Sequence, residues 1–262
     1  MAARLALRFT AFAYLAAILA LPVGAIFYRT FEHGIAAAWQ AVTAPDALHA
    51  LWLTLLITGI AVPLNAIFGV LCAMLLVRSR FRFKSVLDVL VDLPFAVSPV
   101  VVGLALVLLY GRQGWFGPWL AAHDIRVIFA LPGMVLATVF VSLPFVVREV
   151  VPVLREAGDD QEQAAATLGA SPWQSFWRVT LPSIRWGVAY GVVLTTARAL
   201  GEFGAVSVVA GHLAGVTQTL TLYVDDRFEA FDLTGAYAAS VVLALLALAT
   251  LFSMNALARK EA

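Results

Sequence analysis

The sequence predicts an all-α protein that crosses a membrane six times. Hydrophobic residues make up 62% of the 262-residue chain and charged residues make up 13%, and the mean hydropathy is +0.92. A soluble globular domain typically has about 45–50% apolar and about 25% charged residues. The apolar residues here also fall into runs of about 20, the length that one helix needs to cross a bilayer. A water-soluble globule is therefore excluded.

Six such runs follow one another along the chain, with polar loops between them. The first follows Arg4 and Arg8. Because it is longer than the apolar part of a usual signal peptide and lacks a convincing cleavage site, we interpret it as an uncleaved span. In the third run, Pro94 and Pro99 are expected to break the helical hydrogen bonds around Ser98. The predicted spans are residues 9–27, 51–77, 86–110, 128–147, 186–210 and 233–257.

The positive charges are distributed unevenly between the two sides of the membrane. Six spans place both termini on one side. That side carries twelve of the 17 Lys and Arg residues, the other side carries four (Arg29, Arg112, Arg126 and Arg227), and Arg198 lies inside the fifth span. Because positively charged loops stay in the cytoplasm, both termini are predicted to be cytoplasmic.

The remaining composition argues against several classes of function. A net charge of +1 favours neither nucleic acid nor a strongly acidic partner. Cys72 is the single cysteine, so the chain can form neither an intrachain disulfide nor a cluster of thiolate ligands. The four histidines are scattered through separate loops, and we expect no metal site.

A polar segment, residues 158–182, separates the fourth and fifth spans, and we call it the docking segment. Asp159 and Glu162 form a capping-box-like helix start, and Gly169 is well placed to end that helix in a left-handed conformation. Ser171, followed directly by a proline, is typical of a second helix start. We therefore predict two short helices with a sharp bend at Gly169.

This segment resembles the cytoplasmic coupling loop, or EAA motif, of ABC importer permeases. In that family, Glu-Ala-Ala is followed by any three residues and then by Gly. Nine further residues separate this Gly from the sequence Ile-x-Leu-Pro. Gln163 stands here in place of the usual Glu, and Val179 in place of Ile; both replacements are near-isosteric. The resemblance implies that the loop docks on a cytoplasmic ATPase through Gln163, Ala164, Ala165, Gly169, Leu181 and Pro182.

The fifth span carries two charges that are unusual inside a membrane. Arg198 and Glu202 are four residues apart, so they are expected to form an ion pair. Two roles stay open for this pair: it locks helices together, or it belongs to the transport pathway, for which Ser98 and Thr195 are further candidates. Small residues precede the pair at three- and four-residue steps along one predicted helix face, beginning with a Gly187-x-x-x-Gly191 motif that favours close helix packing.

Arg198-Ala-Leu-Gly-Glu-Phe-Gly204 resembles the corresponding helix of sulfate, molybdate and tungstate permeases. Residues 92–100 and 211–220 look most like the W-type permease subunits of sulfate/thiosulfate importers, and the resemblance extends over residues 46–257. It implies a type I ABC importer permease fold and translocation of sulfate or thiosulfate by alternating access. Molybdate and tungstate are the alternative cargoes.

The resemblance also implies a set of partners. These are a T-type permease subunit as heterodimer partner, two ATPase subunits that bind ATP and Mg, and a periplasmic sulfate-binding protein. The chain lacks a Gly-x-x-x-x-Gly-Lys-Ser/Thr phosphate loop. We therefore expect a multi-pass inner-membrane subunit with no catalytic residues and no cofactor of its own.

The predicted organisation has three parts. Residues 1–48 form an N-terminal transmembrane helix and a periplasmic segment. Residues 49–257 form the transporter core, which contains the cytoplasmic coupling loop at 148–185, and residues 258–262 form a cytoplasmic tail.

Two other classes of function are weighed against an importer. An intramembrane hydrolase needs a paired nucleophile and base, but Ser98, Ser142 and Ser207 have no histidine within the spans. A self-contained channel or secondary carrier leaves the docking segment without a role.

Overall fold

The computed structural model describes residues 2–258, with side chains for residues 7–253, and all regular elements in this part of the chain are helices. The Arg4 side chain and residues 259–262 of the predicted tail lie outside it. The α-helices are α1 (Ala2–Leu15), α2 (Leu21–Phe31), α3 (Ile35–Val42), α4 (Pro45–Arg78), α5 (Lys84–Ala96), α6 (Pro99–Tyr110), α7 (Gly117–Ala122), α8 (Leu131–Ala157), α9 (Asp160–Thr167), α10 (Pro172–Ser175), α11 (Leu181–Leu200), α12 (Gly204–Ala210), α13 (Leu220–Glu229) and α14 (Leu233–Ala258).

In the part of the chain that the structure describes, four helical stretches are long and apolar enough to cross a membrane as they stand. They are Leu7–Phe31, Pro45–Arg78, Leu131–Ala157 and Leu233–Ser253. The number rises to six if two bent helix pairs each count as one span. An all-helical membrane fold is confirmed, and the four long helices correspond to the first, second, fourth and sixth predicted spans.

The third predicted span is a broken one. Helices α5 and α6 meet at an angle of 111°, because Val97 and Ser98 are extended rather than helical. The residue before a proline is disfavoured in the helical conformation, and Pro99 follows Ser98. The break expected around Ser98 is confirmed at Pro99, whereas Pro94 lies inside α5 and does not end it.

The fifth predicted span is also broken, and its start was misplaced. One helical rod runs from Pro172 to Leu200 and meets α12 at an angle of 52°. The predicted second short helix, α10, is therefore the first turn of this rod, and the expectation of one helix over 186–210 is wrong. The break falls at Gly201–Phe203, where glycine disfavours helix and the side chain of Glu202 accepts a hydrogen bond from a backbone N–H of α12.

The rod contains one turn of π-helix, Phe176–Thr180, directly before Leu181-Pro182. Proline cannot donate a backbone hydrogen bond, and its ring collides with the carbonyl group four residues earlier in an α-helix. The π-turn removes this conflict, because the N–H of Leu181 donates to the carbonyl oxygen of Phe176, five residues back. A second π-turn, Ala16–Ala20, precedes Leu21 and Pro22 in the same way.

Helix α8 is the centre of the bundle, and two other helices press closely against it. A Cβ atom placed on Gly69 of α4 would lie 2.6 Å from the Cβ of Val146, and one on Gly191 of α11 would lie 2.8 Å from its Cα. Asn65 of α4 also donates to the hydroxyl of Ser142 at 2.8 Å. Glycines therefore allow the three backbones to approach. Helix α8 continues through residues 148–157, so the first part of the predicted coupling loop is helical.

Candidate functional site

The docking segment lies at one end of the bundle, which we call the loop end. Helix α9 stops there in a Schellman motif: the N–H of Gly169 donates to the carbonyl of Ala166, and the N–H of Ala170 donates to that of Ala165, each at 3.0 Å. Gly169 has φ +85°, a left-handed conformation that glycine adopts without strain. The predicted bend at Gly169 is confirmed.

The start of the rod also follows the sequence. Ser171 accepts a hydrogen bond from the N–H of Gln174, whose side chain accepts one from the N–H of Ser171. This reciprocal capping box satisfies two backbone donors that the helix leaves free. The helix start predicted at Ser171 is confirmed.

The expected capping box of Asp159 and Glu162 is wrong. Asp159 precedes α9 but makes no capping hydrogen bond with its side chain. The carboxylate of Glu162 is used elsewhere: it accepts hydrogen bonds from Arg78 and from the hydroxyl of Thr180. The Glu162 carboxylate therefore binds a distant arginine instead of capping the start of its own helix.

The motif residues of the docking segment lie on or near the surface. Gln163, Ala164 and Gly169 are exposed, as is Pro182, and Ala165 and Leu181 are half-buried. Sequence reasoning missed the large apolar side chains beside them. Leu168 is 88% exposed and Trp173 is 69% exposed. Trp173 packs edge-on against Trp177 with ring centroids 5.5 Å apart, and the i, i+4 spacing of two tryptophans in a polar segment was the available signal.

A second group of polar residues surrounds the break between α11 and α12. Arg198 and Glu202 form the expected ion pair, with Nη1 and Oε2 2.6 Å apart. Glu202 is 4% exposed, and its Oε1 accepts the N–H of Ala205 at 2.8 Å. Its backbone carbonyl accepts the hydroxyl of Thr221 at 2.8 Å. Glu202 therefore holds α11, α12 and α13 together, a role that its position in the sequence did not reveal.

A cavity of about 10 Å³ lies beside Glu202, close to the volume that one water molecule needs. It is lined by Thr54, Ile57, Thr138, Ala199, Glu202, Val206 and Thr219. Oε2 of Glu202 is close to Arg198, but no aligned hydrogen bond reaches it. Among the described residues, the contact of this oxygen with Arg198 is thus one of charge.

The other two candidate pathway residues do not line this cavity. Thr195 is fully buried on α11, and its hydroxyl has no partner among the described residues. Ser98 is exposed at the break between α5 and α6. The two breaks nevertheless adjoin, since a Cβ on Gly204 would lie 2.9 Å from the Cβ of Pro99.

A third polar contact ties α5, the first half of the third predicted span, to α8. Nη1 of Arg148 lies 3.1 Å from Asp88, and the guanidinium also pairs with Asp92. Both aspartates are on α5, four residues apart and hence on one face. In the sequence analysis, Arg148 served only as one of the twelve positive charges on the side of the two termini.

At the opposite end of the bundle, Arg227 of α13 joins the starts of α4 and α14. Its guanidinium lies 3.6 Å from Asp46 and 3.8 Å from Asp232, and 4.9 Å from the ring centre of Tyr223. Burial raises the pKa of the Tyr223 phenol, and the nearby Arg227 charge opposes that shift. This cluster ties α13 to the starts of α4 and α14, and Thr221 separately ties α13 to the break at Glu202.

Within residues 7–253, no three His, Cys, Asp or Glu side chains are grouped so that they could hold a metal ion. The expectation that this chain holds no metal and no cofactor stays a prediction.

The fold and the docking segment define a class, the membrane subunits of solute importers. The chain belongs to the family described as the inner membrane component of binding-protein-dependent transport systems, which matches residues 65–262. The ABC importer permease resemblance found in the sequence is confirmed by this match.

Individual relatives are similar over most of the chain. The sulfate transport system permease protein CysW of Synechocystis sp. is 52% identical over 91% of this chain and 86% of its own length. CysW of Escherichia coli is 50% identical over 90% and 81%. The sulfate transport system permease protein CysT of E. coli is 41% identical over 95% and 90%.

Solved structures show the same fold in more distant proteins. A chain of a bacterial ABC transporter involved in alginate import superposes with a TM-score of 0.80 at 17% identity, covering 97% of this chain and 94% of its own. A chain of the alginate transporter in complex with an alginate-bound periplasmic protein gives a TM-score of 0.79 at 16% identity, covering 97% and 93%.

Proposed function

We propose that this chain is a permease subunit of an ATP-driven importer that translocates sulfate or thiosulfate across the inner membrane by alternating access. The observation that carries the proposal is the identity of about one half with sulfate permeases over nine tenths of the chain. We assign the chain to the W-type rather than the T-type subunits, because its sequence identity to CysW of E. coli is higher than its identity to CysT.

The partners follow from the same relatives and from the class of transporter. A T-type permease is the proposed heterodimer partner, and a periplasmic sulfate-binding protein is proposed to deliver the anion. Two ATPase subunits are proposed to dock on the permeases and to bind ATP and Mg. The apolar surface around Leu168 and Trp173 is suited to such docking, because large exposed apolar patches mark interaction sites.

In the proposed topology both bent helix pairs count as single spans. Six spans then place both termini and the docking segment in the cytoplasm, in agreement with the twelve-to-four distribution of positive charge. An alkaline phosphatase domain fused at the C-terminus is expected to be inactive, because it would stay in the cytoplasm. High phosphatase activity would show an odd number of spans.

The rod Pro172–Leu200 suggests how movement of the docking segment reaches the membrane. It begins beside the exposed tryptophans and ends at the break that holds Arg198 and Glu202. A rod of this length extends about 40 Å, longer than the hydrocarbon core of a bilayer. When the ATPases move the docking segment, the rod tilts as one body, and the break at Gly201–Phe203 takes up the change in angle to α12.

The pathway itself is proposed to lie on the side of the rod where Arg198 is accessible, with Thr195 buried one turn before it. The Arg198 side chain is 30% exposed, so part of it is accessible to an anion or to the partner permease. Ser98 is the candidate on the neighbouring break. The pair with Glu202 limits the net positive charge, which suits a site that must bind the anion weakly and release it.

Competition distinguishes sulfate from the alternative cargoes. In vesicles that contain the complete complex and its binding protein, uptake of labelled sulfate should be inhibited by unlabelled sulfate and thiosulfate and much less by molybdate or tungstate. Stronger inhibition by molybdate would assign the chain to that cargo. Equal sulfate flux without ATP would favour a channel or secondary carrier instead.

A further inference from the structure

Arg78, the last residue of α4, connects four elements at the loop end. Its Nη1 donates to the carbonyl of Leu154 at 3.2 Å, and its Nη2 donates to the carbonyl of Gly158. Its Nε and Nη2 donate to the carboxylate of Glu162 at 3.1 Å. Glu162 also accepts the hydroxyl of Thr180 at 2.9 Å. The Arg78 guanidinium thus joins the end of α4 to the end of α8 and to helix α9, and the Glu162 carboxylate extends this network to the rod.

The location of the charge suits both groups that it binds. Leu154 and Gly158 lie at the C-terminus of α8, where helical carbonyl groups lack partners and carry partial negative charge. Glu162 lies in the first turn of α9, where negative charge is favourable. Arg78 and Glu162 are 19% and 23% exposed, so water screens the contact less than it would at an open surface.

The geometry requires arginine and not simply a positive charge. Three different nitrogen atoms of the guanidinium donate at once to three groups on two elements. A lysine ammonium is a point charge on a flexible stem and cannot reproduce this planar fork. The motif residues Gln163 to Gly169 take no part in these hydrogen bonds.

We infer that Arg78 is a coupling residue: it transmits movement of the docking segment to the ends of α4 and α8, while the rod carries the same movement into the fifth span. The inference rests on the proposed function and adds a residue 80 positions before the segment that it serves. Without Arg78, the ATPase still finds its docking surface, but α9 moves without pulling on α4 and α8.

The test compares four versions of the complete complex of permeases and ATPase: the unchanged chain, Arg78→Gln, Arg78→Lys and the control Arg80→Gln. Arg80 is an exposed arginine two residues away. Three quantities are measured: the amount of ATPase that copurifies, the amide hydrogen exchange of residues 158–168, and the number of sulfate ions taken up per ATP hydrolysed.

For Arg78→Gln we expect ATPase copurification to be unchanged. Exchange in residues 158–168 should accelerate by about ten-fold or more, since a hydrogen bond to a charged group shifts an opening equilibrium by at least that factor. Sulfate uptake per ATP should fall while ATP hydrolysis continues. Arg78→Lys should show the same changes to a smaller extent. If Arg78→Gln does not accumulate in the membrane, the result for Arg78→Lys decides whether Arg78 is a coupling residue. Arg80→Gln should match the unchanged chain.

Two results would overturn the inference. One is unchanged exchange in the Arg78 variants. The other is an equal fall of uptake and hydrolysis with a constant ratio, which a merely structural role would produce. If the unchanged complex takes up no sulfate with ATP, the proposed function is wrong, and the exchange measurement, which needs no cargo, decides the inference about Arg78.

Discussion

The docking segment and the break at Glu202 are built in opposite ways. The docking segment is exposed, and its bend and its second helix start are made by residues within a few positions of each other, around Gly169 and Ser171. The break is buried, and Glu202 contacts three helices there. A surface that docks on another protein can be local, whereas a polar group inside a membrane needs partners from the whole bundle.

The largest effect is expected from Gly169→Val. The Gly169 backbone has φ +85°, and a Cβ atom there would meet nothing within 4 Å. The harm therefore comes from backbone strain, which is greatest for a β-branched residue, and not from a clash within the chain. We expect loss of ATPase copurification and of uptake, while the chain still inserts into the membrane.

Gly169→Asn is the matched control, because asparagine tolerates the left-handed conformation. It should keep most of the copurified ATPase. If valine is tolerated as well as asparagine, the bend at Gly169 does not govern docking, and the local character of this surface is refuted.

An intermediate effect is expected at Glu202. Glu202→Gln keeps an acceptor for the N–H of Ala205 but leaves Arg198 without its counter-charge, and an unpaired charge in a membrane costs about 2.5–3.5 kcal/mol on insertion scales. Glu202→Ala loses the acceptor as well and should lower the amount of assembled complex further. The comparison is made by quantifying assembled complex from equal amounts of membrane.

Exchanging the two residues should not restore assembly, because arginine at position 202 cannot accept the N–H of Ala205. Full recovery in the exchanged variant would show that charge alone, without the contact to α12, governs the break.

The smallest effect is expected from Gly191→Ala. The added Cβ would lie 2.8 Å from the Cα of Val146, a backbone atom that cannot move aside easily. Overpacking of this kind costs about 1–3 kcal/mol, and the thermal midpoint of the purified complex should fall by several degrees. Gly59→Ala, at a site where a Cβ meets nothing within 4 Å of this chain, should leave the midpoint unchanged or higher. An equal fall in both variants would refute close packing on α8.

The sequence predicted the parts of the molecule that depend on local chemistry. Apolar runs predicted the long helices, Gly169 predicted the bend, and Ser171 predicted the start of the rod. Arg198 and Glu202 were close enough in sequence for their pairing to be expected. The same local rules located the break near Pro99 but missed the one at Gly201–Phe203. They gave neither angle, since angles depend on the helices packed around the breaks.

The parts that could not be predicted depend on residues far apart in the chain. Glu162 had a plausible local use at the start of α9, but Arg78, 84 positions away, competes for it more strongly. Arg148 and Asp92 are 56 positions apart and meet only because α5 folds back on α8. The π-turn before Pro182 had a local signal, the proline itself, which was not recognised.

Uptake of labelled sulfate by vesicles that contain the complete complex, its binding protein and ATP tests the central claim most directly. The claim is that hydrolysis on the partner drives transport through the docking segment of this chain. We predict uptake that needs hydrolysable ATP on the side of the docking segment and that is lost in Gly169→Val but kept in Gly169→Asn. Sulfate uptake that continues without ATP, or that is equal in Gly169→Val, would contradict the account.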